Sequence, residues 1–218
     1  MSAGAARPFG VVSLVQVQPN GLIIDNPGPG PAKHFCDASR RVEVDRLQIS
    51  DRGIDATLES GEHVLDIHHL DHPRTEYDND DLVCVGFSAH YDAMRREFGE
   101  HMVDGITGEN IVVEYPAEVW PEDLGGSLTV ENQDTGQTTA SNSVSFAEPC
   151  IESSRFCVQR AYGHVPGSRL GAVLRFLGGG RRGFLLLIDP AREPITVRRG
   201  DRVFLYGSRA PGDRHETR

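Results

Sequence analysis

The apolar positions of this chain fall in short runs, and many alternate with polar residues at the period of two that a strand imposes. In "RVEVDRLQI", Val42, Val44, Leu47 and Ile49 are apolar. A one-residue slip of phase between Val44 and Leu47 predicts a β-bulge there. "GVVSLVQV", "DLVCVGF", "NIVVEY", "SLTVEN", "SVSFAE", "GFLLLI" and "DRVFLY" also read as strands. "ENQDTGQTT" joins two such runs across a Gly-containing turn, which predicts a hairpin. The period changes to that of a helix in three places. Ser88 is placed to cap "AHYDAMRREF", where Tyr91, Met94 and Phe98 share one face and Gly99 supplies the stop. A second helix is predicted in "ESSRFCVQRAY" and a third in "SRLGAVLRFL", closed by Gly178 to Gly180.

Eight or more short strands with few helices predict a mainly β fold, a closed or nearly closed β-barrel with a few peripheral helices. The alternating proline and glycine of "NPGPGP" (26–31) predict a loop. No internal repeat divides the chain. Residues 9–206 are expected to form one domain, with mobile ends at 1–8 and 207–218.

At 218 residues the chain is long enough to bury a substantial core. Its formal charge of −10 argues against nucleic acid or an acidic membrane as partner, because both call for a basic face. No apolar run approaches the roughly 20 residues that span a bilayer. "MSAGAARPFG" lacks a secretory signal's apolar stretch, so the expected compartment is the cytoplasm. Four scattered cysteines are too few for a disulfide framework and point to reduced thiols.

Two of them, Cys150 and Cys157, lie seven apart in "FAEPCIESSRFC". On one helix they would stand about 10.5 Å apart along the axis. A disulfide needs Cα atoms within about 7 Å, and zinc pairs sit closer in sequence, so the two thiols are independent. Cys150 follows a proline at a helix start, where first-turn N–H groups and Arg155 favour a thiolate. Cys157, beside Phe156 and Val158, fits a buried inert thiol. Cys84, within "LVCVGF", reads as core.

Three further stretches carry candidate chemistry. "DIHHLDHPR" holds His68, His69 and His72, either a metal site or a loop whose histidines pair with Asp66 and Asp71. In "DGITGENIVVEY" Gly105 and Gly108 flank a turn before Glu109 and Asn110. Arg181 and Arg182, on the Gly-rich "GGGRRG", suit either an anion or a solvated turn.

The order of these pieces, "GENIVVEY", a hairpin, "EPC" with a helix, "GRRGFLLLI" and "RRGDRVFLY", resembles the MOSC domain, the C-terminal module of molybdenum-cofactor sulfurases that also occurs as stand-alone bacterial proteins. Asp66, His68, His69 and Arg74 resemble its upstream segment, with Leu70 and Asp71 where small glycines usually follow. The resemblance implies a β-rich, barrel-like fold and places the family's cysteine, which carries sulfur or binds molybdenum, on Cys150. It also implies that Glu109 and Asn110 shape the pocket wall, and it matches Arg181 and Gly183 to the "GRxG" element.

The function implied is binding of the molybdenum cofactor, with Cys150 as metal ligand. Arg74, Arg155, Arg181 and Arg182 are candidates to hold the cofactor's phosphate. The reaction implied is reduction of an N-hydroxylated compound, with electrons from a separate reductase and protons from His68 or Asp66. The alternative is a carrier that passes sulfur or cofactor from Cys150 to a molybdoenzyme partner without turnover. A histidine-liganded metallohydrolase and a cofactor-free interaction module are further readings.

Overall fold

The structure, a computed structural model, describes residues 7–26, 33–75, 83–124, 128–158, 165–188 and 193–205. The expected loop at 26–31 lies outside these apart from Asn26. The described strands are β1 (Arg7–Val17), β2 (Ile23–Asp25), β3 (His34–Cys36), β4 (Val42–Glu43), β5 (Arg46–Ser50), β6 (Gly53–Thr57), β7 (His63–Leu65), β8 (Val83–Phe87), β9 (Ile111–Glu114), β10 (Leu128–Glu131), β11 (Thr138–Phe146), β12 (Phe184–Ile188), β13 (Ile195–Arg198) and β14 (Arg202–Leu205). Four helices accompany them: α1 (Ser88–Phe98), α2 (Pro121–Leu124), α3 (Ile151–Cys157) and α4 (Gly167–Leu177).

The expectation of a single closed or nearly closed barrel is corrected. The strands divide among three sheets: an eight-stranded mixed sheet in the order β14-β10-β11-β12-β8-β9-β1-β4, a four-stranded sheet β13-β5-β6-β7, and a two-stranded ribbon β2-β3. The period of two identifies a strand but not its neighbours, and the misread slip in "RVEVDRLQI" illustrates the difference. No bulge is present there; the chain leaves the large sheet after β4 and enters the four-stranded sheet at β5. The large sheet is mixed because β8 and β9 run parallel, Val85 opposite Ile111. A parallel pair needs a long connection, which α1 provides. The hairpin of "ENQDTGQTT" is present, with Glu131 opposite Thr138.

Alternation along β9 explains why "IVV" is wholly apolar. Ile111 and Val113 join a core shared with Leu47, Ile49, Ile54 and Val197 of the four-stranded sheet. Val112 turns the other way, to a second cluster with Tyr91 and Met94 of α1 and Val173 and Leu177 of α4. Both faces are therefore covered. In β8 the same rule sends Val83, Val85 and Phe87 to the first core and leaves Cys84 and Gly86 on the other face.

Ser88 does not cap α1. Its hydroxyl donates to the Tyr115 carbonyl at 3.1 Å and accepts the Tyr115 N–H at 3.0 Å, tying the helix start to the end of β9. Gly99 ends α1 as expected, at φ 111°. No described helix is long and apolar enough to cross a membrane.

Candidate active site

Between the ribbon β2–β3, the start of α3 and the ends of β8 and β12 lies a cavity of about 910 Å³. Cys150, His68, Arg74 and Arg182 line it, as do Cys36, Cys84, Arg40 and Thr107.

Cys150 is exposed and sits at the N-cap of α3, where Sγ accepts the Ser153 N–H at 3.3 Å. Its carbonyl accepts from the Ser153 and Ser154 hydroxyls, at 3.1 and 2.8 Å. The other three cysteines are buried. Burial pushes the Cys157 thiol up to about 12, against the lowering effect of Arg182. It pushes Cys36 up to about 11, with Arg182 again opposing and Cys150 adding to the rise. Of Cys150 and Cys157, Cys157 is the buried, inert thiol. Cys84 is buried as its strand implied, yet it also faces the cavity.

His68 is held by Asp66. One carboxylate oxygen accepts the His68 backbone N–H at 3.0 Å and its ring Nδ1 at 2.7 Å. The other accepts the Gln18 N–H and the Asn110 side-chain amide, both at 2.8 Å. Asp66 is fully buried behind the cavity wall. With Nδ1 donating to Asp66, a neutral imidazole keeps Nε2 as the basic nitrogen.

The three histidines do not form one metal site. His69 Nδ1 accepts the Asp71 N–H at 3.0 Å, and His72 Nδ1 accepts the Arg74 N–H at 3.1 Å. His72 Nε2 donates to the Pro19 carbonyl at 3.2 Å. Burial lowers the His69 pKa. Among the described residues no group of three or more His, Cys, Asp or Glu side chains is arranged to hold a metal ion. The histidine-liganded metallohydrolase therefore loses its ligand set.

Glu109 and Asn110 build the floor from behind. Asn110 Oδ1 accepts the Cys84 N–H at 3.0 Å, so this one side chain ties β8 to Asp66. Glu109 is fully buried, accepts the Thr107 hydroxyl at 2.6 Å and the Tyr91 hydroxyl, and lies 3.7 Å from the Arg182 guanidinium. Burial and the Glu109 charge push Tyr91 well above its ordinary value. Desolvation works against the charge on Arg182, but Glu109, Cys84, Tyr91 and Cys150 together outweigh it and hold its pKa up. Two glycines allow this approach: a Cβ on Gly86 or on Gly183 would meet Glu109 Cγ at 3.0 Å, and Gly183 has φ +113°.

The adjacent arginines part company. Arg182 turns to the cavity, and its buried Nε has no hydrogen-bond partner among the described residues. Arg181 pairs with Glu118 at 2.5 Å and stacks against Trp120 and Phe176, away from the lining. Arg155 is likewise not among the lining residues. Arg40, which was not singled out in the sequence, does line the cavity and donates to the Gly21 carbonyl at 3.0 Å. Gln16 and Gln18 were also passed over. Both are buried, Gln16 in β1 and Gln18 just past its end, and their amides hold the turn before β9 through the Gly105, Glu109 and Gly108 carbonyls at 2.7, 2.6 and 2.5 Å. Two glutamines in and just after an apolar run were the signal for that bracing.

A family model described as the MOSC domain matches residues 72–204. The chain belongs to the MOSC family. That match begins just after Asp66 and His68 and includes Cys150, Glu109, Asn110 and Arg182. Among solved structures, the YuaD protein from Bacillus subtilis is 15% identical over 93% of this chain and 97% of its own, with a TM-score of 0.50. A protein described only as hypothetical is 14% identical over 93% of this chain and 70% of its own, at 0.51. YiiM from Escherichia coli is 17% identical over 78% of this chain and 66% of its own, at 0.47. At these identities the first two likenesses speak to the fold alone. No match is found among curated proteins.

Proposed function

We propose that this MOSC protein binds the molybdenum cofactor in the cavity, with Cys150 as the thiolate that reaches the metal. The observation that carries the reading is the placement of one exposed thiol in a cavity that also contains Arg182, Arg74, Arg40 and His68. The donor set fits the group. A soft thiolate suits molybdenum, and guanidinium groups suit the pterin's phosphate. The unpartnered Nε of Arg182 is a donor awaiting an acceptor.

When bound, the cofactor would supply a two-electron redox centre. The implied reaction takes an N–OH group, two electrons and two protons to N–H and water, with the electrons drawn from a separate reductase. His68 Nε2 would deliver a proton to the departing oxygen, while Asp66 holds the ring and stabilises its charged form. Glu109 would orient Arg182 without touching the ligand.

A second reading is favoured by one observation, the exposure of Cys150. An accessible sulfur suits a carrier that passes sulfur or cofactor to a molybdoenzyme partner without substrate turnover.

The test is metal content by mass spectrometry, with pterin fluorescence after oxidation, on protein from a host that makes the cofactor. Near-stoichiometric molybdenum in wild type and Cys157→Ala, lost in Cys150→Ala, is expected. Absence of molybdenum and pterin from wild type, or their retention in Cys150→Ala, overturns the assignment. A persulfide on Cys150 without bound pterin selects the carrier.

A further inference from the structure

The polar groups described so far account for part of the cavity surface. At about 910 Å³ it is near the upper end of small-molecule sites, which run to roughly 1,000 Å³. The ribbon supplies a wall of different character. Ile23 pairs with Cys36 and Asp25 with His34, and cross-strand partners share a face. All four line the cavity, as does Ile24, whereas its partner Phe35 is buried and does not. β3 also packs on α3, the helix that Cys150 caps. The ribbon thus offers an apolar pair, Ile23 and Cys36, and then an ion-paired one, Asp25 with His34 at 3.1 Å.

Ile23 is 44% exposed, one of five large apolar side chains exposed among the described residues. Of these five, Ile23 is the one that lines the cavity.

We infer that the ribbon is the substrate-selecting wall: beside Cys150 the cavity takes an organic molecule with an apolar ring or chain next to its reacting atom, and Ile23 sets that preference. This rests on the proposed function only in taking Cys150 as the reacting centre.

Cys150 reports on its own surroundings. Its alkylation rates by N-phenylmaleimide and N-ethylmaleimide are measured on the full chain, each divided by the rate with glutathione to remove intrinsic reactivity. Peptide mass mapping confirms the labelled residue. Wild type is expected to favour the phenyl reagent by about four-fold, the worth of roughly one extra buried carbon group. Ile23→Thr keeps a β-branched side chain on the strand and should lose most of that preference. Val11→Thr, at an exposed apolar position outside the cavity, should retain it. A wild-type ratio equal to that of glutathione, or a preference that persists in Ile23→Thr, overturns the inference. Should Ile23→Thr fail to fold, Ile23→Val, which shortens the same side chain, takes its place, with a reduced preference expected and an undiminished one decisive against. Neither rate involves molybdenum, so failure here and failure of the metal-content test are distinguishable.

Discussion

Asp66 grips His68 at two points, the backbone N–H and ring Nδ1, through a single carboxylate oxygen. Its other oxygen faces two more donors, and the carboxylate is closed off from solvent. Asp66→Asn would set an amide donor against two of these four N–H groups. A loss of about 2–4 kcal/mol by urea unfolding is expected, the range for breaking a buried charge-assisted network. His68→Ala, at the cavity side of the same contact, should cost about 1 kcal/mol. Equal losses would show that the carboxylate is not the anchor.

Tyr91 donates to Glu109 in the interior beneath Arg182. Tyr91→Phe removes that donor and should cost about 1–3 kcal/mol, read as a shift of the urea midpoint. Because the folded pKa of Tyr91 is raised, its contribution is complete below about pH 10 and is lost as pH climbs above it. Tyrosinate absorbance should show Tyr91 ionising only on alkaline unfolding, a step missing from Tyr91→Phe.

Thiol accessibility separates the cysteines. At pH 8 iodoacetamide should add once to the native protein, at Cys150, since the other three are buried and burial raises Cys36 and Cys157 to about 11 and about 12. After urea unfolding the mass should show four adducts. A native adduct on Cys36 would mean that the ribbon opens.

His90 gives the acid limb of stability. Burial lowers its pKa to about 4, with Glu118 opposing and Arg181 assisting, and Nε2 accepts the Val119 N–H at 2.9 Å. A depressed folded pKa means that stability is full above about pH 6.5 and is lost as pH falls through 6.5 toward 4, on the order of 3 kcal/mol. His90→Gln keeps an acceptor for Val119 and should flatten that part of the stability–pH curve.

The chain announced its strands one at a time, because alternation is local. Val42–Val44 and Leu47–Ile49 were both recognisable, but that they belong to different sheets depends on β13, about 150 residues away, which pairs with β5. Cys150 and Cys157 were separable from sequence because a proline and a helix start distinguish them. Arg181 and Arg182 were not: neighbours in a glycine-rich turn differ only in direction, and Glu118, Trp120 and Glu109 decide it from afar. Arg40 and Cys36 reach the cavity through a ribbon whose docking on α3 has no local signature.

Among the described residues the ribbon shares no strand pairing with either larger sheet. Its cavity-lining positions Ile23, Ile24, Asp25 and His34 can therefore be exchanged without reregistering the strands that hold Cys150, Asp66 and Glu109, while buried Leu22, Phe35 and Cys36 keep it docked. Selection can thus remodel what the cavity admits while the chemistry beneath stays fixed, and a laboratory library confined to those four positions should evolve new preferences at little cost in folding.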